Sequence, residues 1–216
     1  MNFKNINFTG RYHFLQNQNG LPCAYCGKLI LTNSDIKKIA RTLETKKGPE
    51  IADVLEPYVD IFQGKGSVFI KEMVEYARLP QYRNWKFKQL SMLGSEPKIY
   101  DKDVKKTLEN LFDSIKFSIE HTTPKSENGL NRQTNYLPMH IYCNNNRKSE
   151  NYAQLSLINP DFVDNIRKSL NEIKYRVESD KAGLTHYKIS LPENYFDEIK
   201  ENIEKQGLSK ELFLDI

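Results

Sequence analysis

Three cysteines and one histidine in two short clusters carry the first chemical signal of this chain. Cys23-Ala-Tyr-Cys26-Gly27 is a C-x-x-C followed by glycine. In that form backbone N–H groups turn toward two thiolates and the glycine tolerates the tight turn. The third cysteine, Cys143, follows His140 by three positions in "MHIYCNNNRKS". Cys23, Cys26, His140 and Cys143 together offer three sulfurs and one nitrogen, a donor set that closes a tetrahedral structural zinc site. A redox pair would need a thioredoxin-like strand and helix around C-x-x-C, and the sequence offers neither. Three unrelated buried cysteines beside a satisfied histidine is the bland alternative.

A second group lies just before the His140 cluster. "IEHTTPKS" (119–126) sets Glu120 beside His121 at the end of an apolar run and then breaks the chain at Pro124. Gly129, Asn135 and Asn144 follow. In this order, a knuckle, an acidic residue with histidine, proline, asparagine, a second knuckle and a final asparagine, the chain resembles the HNH (ββα-metal) endonuclease family. The resemblance covers roughly residues 14–30 and 117–150.

The resemblance implies a short hairpin carrying Glu120 and His121, crossed by a helix that starts at the second knuckle. It implies that Glu120 and the amide oxygen of Asn144 hold one catalytic Mg²⁺ or Mn²⁺, that His121 is the general base, and that Asn135 braces the loop. The implied activity is hydrolysis of DNA phosphodiester bonds leaving 5′-phosphate ends, with RNA not excluded. Such hydrolysis needs a nucleophile generated near neutral pH and compensation of charge on the leaving oxygen, tasks suited to an imidazole and a hard cation. Arg147 and Lys148, next on the same helix, are expected to reach backbone phosphates. Adjacent residues on a strand point to opposite faces, so one site served by both Glu120 and His121 calls for a twisted strand end.

Two departures from the family pattern stand out. His140 occupies a position where cysteine is usual, and about ninety residues separate the first knuckle from the catalytic strand. That insertion suits a specificity domain, a lid or a docking surface. Partners consistent with it are a second copy of the chain, or a protein such as an ATPase or immunity protein that controls a phage-defence or toxin effector. A zinc-stabilised nucleic-acid-binding module without catalysis is the rival from another class.

The remaining sequence must position these groups. With 216 residues, 38% hydrophobic content and 28% charged residues, the chain is long enough for a packed core under a solvated surface. The net charge of +4 permits attraction to polyanions without demonstrating it. No apolar run approaches the length of a bilayer span, and "MNFKNINFTGRYHFLQ" lacks a signal-peptide centre, so a cytoplasmic location is expected.

Helical periodicity fills most of 33–115, beginning at a cap on Asn33 or Ser34 and interrupted at Pro57. "QGKGS" and "LGSEP" read as loops; "GKG" lacks the strand and the G-K-[ST] ending of a phosphate loop. Aromatic and basic residues interleave around Trp85, a pattern that fits either a nucleic-acid contact or a half-buried face. Asn159 and Pro160 open a helix whose stripe is Phe162, Val163, Ile166, Leu170, Ile173 and Val177. "LTHYKISL" reads as a short strand and "PENYFDEIKENIEKQG" as a last helix stopped near Gly207. His13 and His186 read as ordinary histidines. The expected fold is α+β, a single composite domain over 1–216. Residues 14–32 plus 116–156 form the nuclease centre, 33–115 a helical insertion and 157–216 a helical C-terminal extension.

Overall fold

The computed structural model describes residues 20–61, 65–94, 104–112, 115–147, 150–184 and 191–216. The chain divides into two compact units, one of Leu31–Lys116 and one formed by the segment up to Ile30 together with Phe117–Ile216. His13, His186, Lys148 and most of the expected strand "LTHYKISL" lie outside the described residues.

The Leu31–Lys116 unit is helical. It contains α1 (Asn33–Thr45), α2 (Pro49–Leu55), α3 (Lys65–Arg78), α4 (Phe87–Ser91) and α5 (Val104–Phe112). The cap of α1 is Thr32 rather than Asn33 or Ser34. Its hydroxyl accepts from the Asp35 N–H while the Asp35 carboxylate accepts from the Thr32 N–H at 2.8 Å, a capping box. Pro57 ends α2 at Leu55 and the chain continues as a 3₁₀ turn over Glu56–Tyr58, as expected of a residue without an N–H. The "QGKGS" segment is not all loop, since α3 already begins at Lys65.

Leu43, Ile51, Leu55, Phe69, Ile70, Met73, Leu90, Leu108 and Phe112 form this unit's buried core. Trp85 packs against that core and meets the Tyr82 ring at a tilt of 53° with centroids 4.6 Å apart, so its indole belongs to the half-buried face. The ends of the unit meet in a bridge between Leu31 and Lys116, which returns the chain to where it departed.

The second unit is built on an antiparallel hairpin, β1 (Phe117–His121) with β2 (Tyr136–His140), in register from Phe117 opposite His140 to His121 opposite Tyr136. Then follow α6 (Ile141–Asn146), α7 (Tyr152–Ile158), α8 (Phe162–Lys181) and α9 (Tyr195–Lys205). The helix α7 lies where the sequence pattern marks none. It starts at a capping box of Asn151 with Gln154. The α8 stripe buries Phe162, Ile166, Leu170 and Ile173, with Val163 and Val177 partly covered beside them. Its cap moves from Asn159 to Asp161, Asn159 instead serving as the C-cap of α7. Gly207, at φ +87°, ends the α9 segment as expected, a backbone conformation that costs glycine little. The C-terminal helices share one core with the hairpin and knuckle rather than forming a separate layer.

Leu170 is fully buried at the centre of this core. Leu170→Ala is expected to lower the unit's unfolding free energy by about 2–5 kcal/mol. The change should appear as a lower urea midpoint at unchanged slope.

Candidate metal and hydrolytic site

The sulfurs of Cys23, Cys26 and Cys143 and a ring nitrogen of His140 all lie within 4.8 Å of one another. A tetrahedron with bonds of about 2.0–2.3 Å has edges of roughly 3.5–3.8 Å, so the four are gathered at metal-binding spacing. His140 presents Nδ1, 3.4 Å from Cys26 Sγ and 3.8 Å from Cys143 Sγ. Its Nε2 lies 3.0 Å from the Leu29 carbonyl, which accepts the ring N–H and leaves Nδ1 for the metal. The His140 backbone N–H points at Cys23 Sγ, 3.4 Å away.

The knuckle turn is held from both sides. Gly27 sits at φ +68° and its N–H donates to the Cys23 carbonyl at 2.8 Å. The Tyr25 carbonyl accepts from Asn159 Nδ2 at 2.8 Å and from Asn165 Nδ2 at 2.9 Å, so the C-terminal helices clamp the knuckle.

Crowding of these groups shifts their protons. Burial opposes ionisation of Cys23, yet hydrogen bonds from Cys143, Cys26 and His140 hold its thiol well below the ordinary range. Burial would lower His140, but hydrogen bonds to Cys23 and Cys26 raise it to about 10. The hydrogen bonds to Cys23 and Cys26, with burial, push Cys143 strongly up.

Along β1 the residues separate by face. Asn144 on α6 donates through Nδ2 to Ser118 Oγ at 2.8 Å and to the Ile119 carbonyl at 2.8 Å. Ser118 and Glu120 share a face by strand alternation, so α6 crosses the face that carries Glu120. Glu120 is buried, and its Oε1 pairs with Arg147 and lies 3.5 Å from the Tyr152 hydroxyl. Burial pushes the Tyr152 phenol up to about 12 even though Arg147 opposes the shift, so it remains a hydrogen-bond donor. The Arg147 guanidinium stacks over the Tyr152 ring, 5.3 Å from its centroid.

The expected phosphate contact of Arg147 is therefore replaced by an interior one. A carboxylate buried at Glu120 requires a counter-charge, and Arg147, three residues beyond Asn144, turns inward to supply it. His121 belongs to the other face. Its Nε2 is 2.9 Å from Asn131 Oδ1, and its ring meets Tyr136 edge-on at 5.1 Å. The ladder pairs regularly as far as His121, the last residue of β1.

Asn135 is buried and braces the loop between the strands. Its Oδ1 accepts from Thr122 Oγ1 at 2.7 Å and from the Thr123 N–H at 2.6 Å, and its Nδ2 donates to the Thr123 and Leu130 carbonyls, both at 3.0 Å. Gly129 allows the loop to fold back, since a side chain there would strike the Thr123 carbonyl. Asn131 and Tyr152 are the site residues that sequence reasoning missed. An asparagine ten positions beyond a histidine has no periodic signature, whereas the Asn151/Gln154 capping pair would have put Tyr152 at a helix start.

No protein-family model, curated protein or solved structure matches this chain. Among the described residues no helix is long and apolar enough to cross a membrane.

Two outcomes follow. The purified protein is expected to hold one equivalent of zinc by elemental analysis, lost in Cys143→Ser and released on acidification, because the ligands must be deprotonated to bind. Arg147→Ala should destabilise the fold by about 3–5 kcal/mol in chemical unfolding, with much of the loss recovered when Glu120→Gln is added.

Proposed function

We propose that the hairpin unit is the catalytic centre of a zinc-stapled HNH-type endonuclease that hydrolyses phosphodiester bonds of DNA. The observation that carries this reading is the docking of α6 onto β1. A helix leaving directly from the metal-ligand pair His140 and Cys143 seats Asn144 against the strand that bears Glu120 and His121. The asparagine brace at Asn135 supports the same reading.

In this reading the zinc is structural and joins the knuckle to the hairpin. Glu120 and the amide oxygen of Asn144 are hard donors of the kind magnesium or manganese takes, and they would hold one catalytic ion. Such an ion, when bound, compensates charge on the phosphate and leaving oxygen. His121, the last residue of β1, would act as general base from the strand end, its ring turned round that end toward the side of Glu120 and Asn144, and would take a proton from water as the water oxygen attacks phosphorus. The bond from phosphorus to the 3′ oxygen breaks, giving a 5′-phosphate and a 3′-hydroxyl after protonation. One centre nicks one strand, and cutting both requires dimerisation or two encounters. The helical unit would set the substrate or dock a controlling protein, as in a phage-defence or toxin effector of the cytoplasm.

One observation favours a second reading, a zinc-stabilised nucleic-acid-binding module without catalysis. The Glu120 carboxylate is already engaged by buried Arg147. Incubation of zinc-loaded protein with supercoiled plasmid and Mg²⁺ or Mn²⁺ separates the two. The nuclease reading expects metal-dependent nicking, lost by at least about 100-fold in His121→Ala at unchanged zinc content. DNA binding with no cleavage by either protein favours the module.

A further inference from the structure

We propose that Asn131 is a positioning residue for His121, its amide oxygen holding the imidazole as the Nε2–H tautomer and so placing the basic lone pair on Nδ1. The significance for catalysis rests on the nuclease reading; the tautomer itself is a property of the folded chain.

His121 Nε2 lies 2.9 Å from Asn131 Oδ1. An amide oxygen only accepts, so the facing ring nitrogen carries the proton, and in a neutral imidazole the other nitrogen is then the base. Asn131 is exposed, where water competes for the same bond, so the contact matters only as far as the loop holds that oxygen in place.

The loop is held at several points. The Gly129 N–H donates to the Pro124 carbonyl at 2.9 Å, closing the fold-back that the missing side chain permits. Asn135 Nδ2 grips the carbonyl of Leu130, the residue before Asn131, and also that of Thr123, two residues after His121. A single buried amide therefore ties the segment carrying the acceptor to the segment carrying the imidazole. Tyr136, directly across the ladder, meets the ring at an interplanar angle of 81° and limits its rotation. The arrangement restrains the ring and the loop segment that carries the oxygen it faces, which a water molecule in place of Asn131 would not do.

The test uses the full chain, zinc-loaded and labelled with ¹⁵N-histidine, at about pH 8.5, well above the ordinary histidine range. Long-range ¹H–¹⁵N correlations are recorded, and the His121 signals are assigned by their loss in His121→Gln. Wild type is expected to show His121 protonated on Nε2. Asn131→Leu, which has no acceptor, should give mixed tautomers, and Asn131→Asp should retain the Nε2–H form. In plasmid nicking Asn131→Leu should lower kcat about tenfold with KM within about twofold, and Asn131→Asp should restore most of it. A wild-type proton on Nδ1, a tautomer unchanged in Asn131→Leu, or a changed tautomer with unchanged kcat overturns the proposal. If the tautomer moves but no protein, wild type included, cuts DNA, the positioning role stands and the nuclease reading falls.

Discussion

The hairpin unit depends on what His140 does at one point of the chain. It is the last residue of β2, opposite Phe117 in the ladder, and it flanks the start of α6. Its ring reaches the sulfurs through Nδ1 and the Leu29 carbonyl through Nε2, while its backbone N–H points at Cys23 Sγ. Strand end, helix start and metal cluster are therefore one feature. Joining Cys23 to Cys143 closes a loop of more than a hundred residues, yet the logarithmic law makes that cost only about 4 kcal/mol for a flexible chain. A structural zinc contributes on the order of 10 kcal/mol, enough to offset it. The Leu31–Lys116 bridge reduces the cost further, since the insertion's own fold brings its two ends together.

Once that junction is set, two side-chain amides do the positioning, Asn144 half-buried and Asn135 buried. Asn144 ties α6 to β1 through two donated bonds, and Asn135 satisfies both its oxygen and its nitrogen within the loop. A buried amide such as Asn135 is costly if left without partners, so it enforces one arrangement of its surroundings. The C-terminal helices complete the support. Asn202 on α9 donates to the Thr134 carbonyl at 3.2 Å, and the Tyr195 hydroxyl donates to the Tyr136 carbonyl at 2.9 Å. The residues facing His121 are thus held from behind by α9 and from within the loop by Asn135.

How much of this was legible depended on whether a residue's partner is fixed by chemistry or by topology. Thiolates and an imidazole at three-residue spacings have few other uses, so the metal cluster could be read across 117 residues of separation. The α8 stripe and the stop near Gly207 were legible because periodicity and left-handed backbone are local properties. Arg147 was misread because its charge suggests solvent, and only a buried carboxylate nearby turns it inward. That carboxylate's burial depends on Tyr152, whose helix was overlooked. The cap of α1 shifted by one residue for a similar reason: Thr32, Asn33 and Ser34 are all competent caps, and only Asp35 at the third helical position selects Thr32.

Glu120 is a buried acidic side chain, and its burial decides what must surround it. A buried carboxylate needs a positive partner, and Arg147 supplies one. Arg147 and Tyr152 both approach the same oxygen, Oε1. A carboxylate accepts at about four lone-pair positions over two oxygens, so engagement of one does not exhaust it. Arg147 is further restrained by stacking on Tyr152, which keeps it from following the carboxylate toward solvent. The pair therefore holds Glu120 beneath α6, on the face to which Asn144 is tied. On that view the buried ion pair is what keeps the acidic side chain in place, and His121, on the opposite face, depends on its own separate set of restraints.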